Sequence, residues 1–324
     1  MRYREFGRTG WKVSEVAFGA WQIGGDWGAV DDMRSVDTLL YAFGKGINFV
    51  DTAEVYGKGH SEEVIGRALR AWQGDKIYVA TKVQPIQWPN ANDDHPAMRG
   101  RYPDWYLRDS VEKSLKRLGV ERLDMMQLHS WMGDGLYALD WLESLNRLRA
   151  EGKIDKIGVS LRDFRPDEGI DLARSGLVDA IQVVYNLFEQ RPRHGLFAAG
   201  EPTSTAFIAR VPLDSGALVG HWTADTYARW APGSVPHTMF REGRFPDTLD
   251  RVKRLKKLCA PYYPTLAEAA IRYVLDSRQV STLIPGMHTR AEVDMNLVYS
   301  DGQVFPAELL AQLGEHLWIR NYYQ

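Results

Sequence analysis

Along the chain, short runs of consecutive apolar residues alternate with longer stretches in which apolar residues recur every three or four positions. The runs are Val16-Ala17-Phe18, Phe49-Val50, Ile77-Tyr78-Val79-Ala80, Leu123-Asp124-Met125-Met126-Gln127-Leu128, Ile157-Gly158-Val159, Ala180-Ile181-Gln182-Val183-Val184, Ala206-Phe207-Ile208-Ala209 and Ser281-Thr282-Leu283-Ile284. Each is too short for a helix and is followed by loop-like residues, as expected of strands buried on both faces. Between them, Val111, Leu115 and Leu118 mark a helix over Asp109 to Leu118, and Leu139, Leu142, Leu145 and Leu148 mark another over Tyr137 to Leu148. Two further helical patterns, about 289–299 and 306–318, end the chain. Strand and helix alternate throughout, which predicts a parallel sheet wrapped by helices. Eight such units favour a closed (β/α)8 TIM barrel over an open doubly wound sheet.

Two segments depart from the alternation. Residues 1–15 hold Gly7-Arg8-Thr9-Gly10 between short mixed stretches, which suits an N-terminal β-hairpin closing the bottom of the barrel. Residues 212–247 carry Trp222, Trp230, Pro232, Pro236 and Pro246 with little periodicity. They are too long for a connector and are expected to form a loop over the barrel mouth. Nothing resembles a linker, so residues 1–324 are read as a single domain. Composition narrows the partners: 40 basic and 42 acidic residues leave a formal charge of -2, which gives no field for nucleic acid or an anionic membrane. The single cysteine, Cys259, excludes an internal disulfide and fits a reducing compartment. With a polar N-terminus and no run of about 18 apolar residues, the expectation is a cytoplasmic protein with no membrane partner.

In such a barrel, chemistry sits at the carboxyl ends of the strands. Asp51 ends the second strand, Lys82 the third in VATKV, and His129 the fourth in DMMQLHS, while Tyr56 follows Asp51 by five residues in NFVDTAEVYG. Singly, these have ordinary explanations as a helix cap, a snorkelling lysine, a core histidine and a surface tyrosine. Together they form a proton-transfer group. An ammonium beside a phenol stabilises the phenolate and lowers its pKa, an aspartate holds the lysine charged, and a histidine can donate to a carbonyl oxygen. That suits carbonyl reduction or its reverse, with the hydride supplied by a cofactor.

The stretch YREFGRTG at residues 3–10, the DTAEVYG element at 51–57, Ile284-Pro285-Gly286 and Asn296 together resemble the aldo-keto reductase superfamily over nearly the whole chain. The resemblance implies an NAD(P)(H)-dependent oxidoreductase acting on an aldehyde, ketone or sugar carbonyl, or on the corresponding alcohol. Asp51, Tyr56, Lys82 and His129 then match the catalytic tetrad, with Tyr56 as general acid/base. Family members bind the dinucleotide without a GxGxxG loop, and none stands here in the usual strand–helix position. Ser160 and Gln182 match residues that hold the nicotinamide carboxamide. Leu161 stands where an asparagine is common, with Arg162 or Asp163 as substitutes, and Arg210 replaces the aromatic that stacks on the nicotinamide. Pro212, Leu213, Ser215, Gly216 and Leu218 match the loop around the pyrophosphate.

At the adenosine end the resemblance places Gly286, Met287, Arg290, Glu292 and Asn296. A carboxylate at 292 favours a ribose 2'-hydroxyl, whereas Arg290 and His288 suit a 2'-phosphate, so the expected cofactors are NADP(H) and/or NAD(H). Trp21, counted with both cofactor and substrate, joins Trp88, Trp222 and Trp230 as the expected walls for a small carbonyl or alcohol, a sugar included. The alternative within the superfamily is a nucleotide-binding regulatory subunit with little turnover. A metal-dependent barrel hydrolase is excluded because the eight histidines form no HxH or HExxH pair, so no metal site is expected.

Overall fold

Period-two alternation along the strands of the computed structural model, which describes residues 1–90 and 93–320, sorts their side chains onto two surfaces. The strands are β1 (Tyr3–Glu5), β2 (Lys12–Ser14), β3 (Phe18–Gly19), β4 (Phe49–Asp51), β5 (Tyr78–Val83), β6 (Leu123–Leu128), β7 (Ile154–Ser160), β8 (Ala180–Val184), β9 (Ala206–Arg210) and β10 (Val280–Ile284). β3 to β10 pair in sequence order, all parallel. Parallel bridges Val16–Leu283 and Gly19–Gly286 close the seam between first and last strands, with Ala17 N donating to Leu283 O at 2.8 Å. The result is the (β/α)8 barrel that the alternation predicts.

The helices are α1 (Asp32–Gly44), α2 (His60–Ala71), α3 (Asp104–Leu118), α4 (Asp140–Ala150), α5 (Ile170–Ser175), α6 (Leu196–Gly200), α7 (Val235–Met239), α8 (Arg244–Cys259), α9 (Leu266–Asp276), α10 (Arg290–Leu297) and α11 (Ala307–Leu313). Outward strand residues such as Val50, Met126, Leu128, Val159, Ile181 and Leu283 pack with Leu39, Val64, Val111, Leu145 and Ile271 of the helices in one buried layer. α3 begins five residues before the periodic stretch, because Pro103 ends extended backbone and Asp104 opens the first turn. α4 begins three residues after Tyr137, which lies exposed beyond a 3₁₀ turn at Gly133–Leu136. None of the helices among the described residues is long and apolar enough to cross a membrane.

Inward residues of the lower barrel form a second cluster, in which Phe6, Trp11 and Val13 of the β1–β2 hairpin meet Phe49, Ala80, Met125, Ala180, Ala206 and Ile208. Phe6 lies 5.2 Å from the Phe49 ring, and Trp11 stacks on Tyr78 at 4.5 Å. The hairpin thus seals the end opposite the strands' carboxyl termini. Residues 212–247 are not an unstructured loop. They hold a 3₁₀ segment at Asp214–Val219, α7 and the start of α8, and they bury Phe240 and Phe245 against Trp222, Tyr227 and Trp230 in a cluster of their own.

Candidate active site

Above the apolar plug, the next inward position on β4 to β9 is polar. Asp51 ends β4, Lys82 lies in β5, Gln127 in β6, Ser160 ends β7, Gln182 lies in β8 and Arg210 ends β9. The alternation that turns Phe49, Ala80, Met125, Ala180 and Ile208 inward two residues earlier brings these side chains to the barrel mouth.

The centre is a buried ion pair. Lys82 Nζ donates to Asp51 Oδ1 at 2.5 Å, to Thr52 O at 2.8 Å and to Tyr56 Oη at 3.2 Å, which occupies all three ammonium protons. Asp51 Oδ2 accepts from Gln127 Nε2 at 3.1 Å and Gln182 Nε2 at 2.7 Å. Neither charge reaches solvent, and the carboxylate is held from two further strands.

A sharp turn delivers Tyr56. Gly57 has φ +57°, and a Cβ there would stand 2.1 Å from Gly24 O, so the residue after the tyrosine has to be glycine. Asp26 Oδ2 accepts from Gly57 N at 3.2 Å and from Trp21 Nε1 at 3.1 Å, pinning the two loops together. The Tyr56 ring stacks on Trp21 at 5.7 Å and meets His129 edge-on at 5.9 Å, and Trp88 closes on His129 at 5.4 Å. The structure therefore brings Asp51, Tyr56, Lys82 and His129 together.

The charges set the protonation states. Burial works against the Lys82 charge, but Asp51 and Tyr56 outweigh it and its pKa lies above the ordinary lysine value. Burial raises the Tyr56 pKa, and the opposing pull of Lys82 does not cancel it. Here the ammonium does not produce the lowered phenol pKa expected from the sequence, because desolvation penalises a phenolate more. Burial, then Lys82 and Arg210, hold His129 well below its ordinary value, so its imidazole is neutral at pH 7. The site thus offers a protonated phenol and a neutral imidazole beside a fixed cation.

These groups face a cavity of about 950 Å³, at the upper end of the range for small-molecule sites. Trp21, Trp27 and Trp88 wall it beside Tyr56 and His129, and Ser160, Gln182, Arg210, Pro212, Leu213, Ser215 and Gly216 line its middle. Gly286, Glu292 and Asn296 lie along its far side. The Asn296 amide is fully buried with neither its oxygen nor its nitrogen partnered in the protein, and Gln22 Oε1 and Trp27 Nε1 are buried without partners too. Buried polar atoms left unpaired are costly, so an extended polar ligand that pairs them fits this cavity.

Other expected positions lie outside the cavity or already hold partners within the protein. Trp222 and Trp230 do not line the cavity but pack edge-on against each other at 5.1 Å and both against Phe240, because these aromatics bury one another beneath their own segment. Leu218 and Met287 are fully buried in the layer between sheet and helices. Arg290 lies exposed, pairing with Asp37 through Nε at 2.7 Å and sitting 5.0 Å over the Tyr41 ring. Glu292 lines the cavity, but its Oε2 closes the capping box of α10, accepting from Thr289 N at 3.1 Å and His288 N at 2.8 Å. It also pairs with His288 Nδ1 at 2.9 Å. Arg210 donates to Asp163 and to Leu161 O at 3.1 Å, and Arg162 pairs with Glu168, so both suggested substitutes at 162 and 163 already hold partners. Sequence reasoning missed Gln127, whose signal was its place two residues before His129 on one strand face, and Asp26 and Trp27, which carry no periodic signal.

The Aldo/keto reductase family profile matches residues 15–317. The aldo-keto reductase YhdN of Bacillus subtilis is 30% identical over 85% of this chain and 82% of its own. The NADH-specific methylglyoxal reductase of Escherichia coli is 28% identical over 92% and 93%. The structure of the glycerol dehydrogenase AKR11B4 from Gluconobacter oxydans superposes with a TM-score of 0.77 at 29% identity, covering 97% of this chain and 94% of that one.

Proposed function

We propose that this chain, which belongs to the aldo/keto reductase family, is an oxidoreductase that moves a hydride between a nicotinamide dinucleotide and a small carbonyl or alcohol, with Tyr56 as general acid/base. The observation that carries the reading is Tyr56 Oη 3.2 Å from the buried Lys82 ammonium, with His129 beside it at the cavity wall. The dinucleotide, when bound, supplies or accepts the hydride, and Ser160, Gln182, Arg210, Pro212, Leu213, Ser215, Gly216, Glu292 and Asn296 are the residues placed to hold it. In reduction His129 donates to the carbonyl oxygen, which orients and polarises it. Tyr56 then gives its proton to the alkoxide oxygen and regains one from solvent. Lys82 stabilises the transient phenolate, while Asp51 keeps the lysine charged.

The cavity walls support a substrate class. Three indoles and the Asp26 carboxylate suit a short polyhydroxylated or dicarbonyl compound, whose C–H faces pack on the rings and whose hydroxyls find acceptors. The relatives named for glycerol and methylglyoxal point to the same size class. The two basic residues expected at the adenosine end each hold an acidic partner, Arg290 with Asp37 and His288 with Glu292, which favours NAD(H) over NADP(H).

Titration of tryptophan fluorescence with NADH and NADPH tests the cofactor assignment. Saturable binding is expected, tighter for NADH. Binding of neither to folded protein would remove the redox reading, and tighter NADPH binding would assign a 2'-phosphate site to this end of the cavity. The protonation states set a second expectation. For reduction, kcat/KM should stay level between the ordinary histidine value of 6.5 and the ordinary tyrosine value of 10.0, because His129 protonates only below the first and Tyr56 ionises only above the second. A pH–rate profile with a limb inside that window would show that one of the two is not the titrating group assigned here.

A further inference from the structure

The loop at residues 211–216, which lines the cavity with every residue but Asp214, holds an unfavourable backbone. Val211 (φ 56°), Asp214 (φ 50°) and Ser215 (φ 54°) all occupy the left-handed region, as does Gly216. For a β-branched valine this is a costly conformation that persists only when its surroundings impose it. One restraint is local: Asn186 Nδ2 donates to Val211 O at 2.9 Å. The other comes from the far end of the chain. Asp214 forms an ion pair with Arg320, 106 residues away in sequence, with side-chain exposures of 5% and 6%.

Arg320 is itself held in place. Its guanidinium lies 4.9 Å from the Phe188 ring, 5.6 Å from Phe164 and 4.3 Å from Trp318. Trp318 N donates to Phe188 O at 2.9 Å, and the Trp318 indole carries Arg251 of α8 at 4.3 Å on its ring. The segment after α11 therefore runs as a strap from the outer face of α8 to the loop that lines the cavity.

We propose that Arg320 is a positioning residue for the dinucleotide: through its buried pair with Asp214 it holds Pro212, Leu213, Ser215 and Gly216 in the shape that closes on the ligand. The inference rests on the dinucleotide-dependent reading above. A planar guanidinium suits the role because it pairs with the carboxylate while its faces pack on aromatic rings, which a flexible hydrated ammonium does less well. Loss of the restraint lets the loop relax to ordinary φ values and the ligand leave sooner. The effect belongs in the dissociation rate and in KM for the dinucleotide, more than in kcat.

The test compares wild type, R320M and the double variant D214N/R320M by stopped-flow dissociation of NADH, steady-state kinetics and thermal melting. In R320M, KM for NADH and its dissociation rate should each rise about tenfold, with kcat within about twofold. R320M also leaves the Asp214 carboxylate buried without its cation, so it should melt lower. D214N/R320M removes that charge and should regain melting temperature while dissociation stays fast. Dissociation restored in the double variant would show that the pair only neutralises a buried charge, and unchanged dissociation in R320M would sever the strap from the site. Either result overturns the proposal. Failure of wild type to bind NADH or NADPH would instead overturn the redox reading, and this inference with it.

Discussion

Tyr56→Phe is expected to lower kcat for carbonyl reduction by about 10²–10⁴-fold, the range for loss of a positioned general acid, while dinucleotide affinity changes little. The hydroxyl is the only group removed. The ring keeps its stacking on Trp21 at 5.7 Å and its edge contact with His129, so the cavity wall survives. What disappears is the proton donor 3.2 Å from Lys82 Nζ, a group whose contribution is realised as charge develops on the substrate oxygen. Turnover and dinucleotide titration on the same preparation check both halves. Full turnover in the variant would assign the proton to another group. Loss of dinucleotide binding would place the phenol in the ligand's ground-state contacts.

The second large effect belongs to Lys82. Lys82→Met is expected to abolish measurable turnover and to destabilise the fold by about 3–5 kcal/mol at neutral pH, because Asp51 is left as an unpaired carboxylate inside the barrel. The folded-state pKa of Lys82 is raised, so the stabilisation its charge gives is fully present below the ordinary lysine value of 10.5 and is lost only as pH rises through the folded value. The destabilisation of the variant should therefore be seen undiminished at pH 7. D51N/K82M should be more stable than K82M, since the two residues share one interaction and their effects do not add. Denaturant unfolding of the single and double variants measures this. A single variant as stable as wild type would mean that water or a rearranged neighbour reaches the carboxylate.

Much of this was legible before any fold was known, for a local reason. A short, mostly apolar run that leads to Asp51, Lys82 or His129 states its register, since side chains two apart share a face. The same rule that turns Phe49 inward turns Asp51 inward. Tyr56-Gly57 was legible as a motif, and the close approach of Gly24 O explains why the second residue is glycine. The barrel itself followed from the count of alternating strands and helices.

What composition and spacing left open were matters of distance between remote segments and of competition among forces. The indoles of Trp222 and Trp230 were as suited to a pocket as those of Trp21 and Trp88. Only packing showed that Phe240 and Phe245 lie close enough to claim them first. Glu292 looked available to a ribose until the backbone of α10 took up its Oε2, and Arg290 looked available to a phosphate until α1 presented Asp37. The direction of the Tyr56 pKa shift could not be read from a list of neighbours, because it depends on how far burial outweighs the adjacent ammonium. The pairing of Arg320 with Asp214 spans 106 residues. The sequence by itself determined the barrel strands, their order and their inward polar residues, because those depend on residues a few positions apart. The tertiary structure alone decided which polar groups find partners, because that depends on contacts between segments remote in the chain.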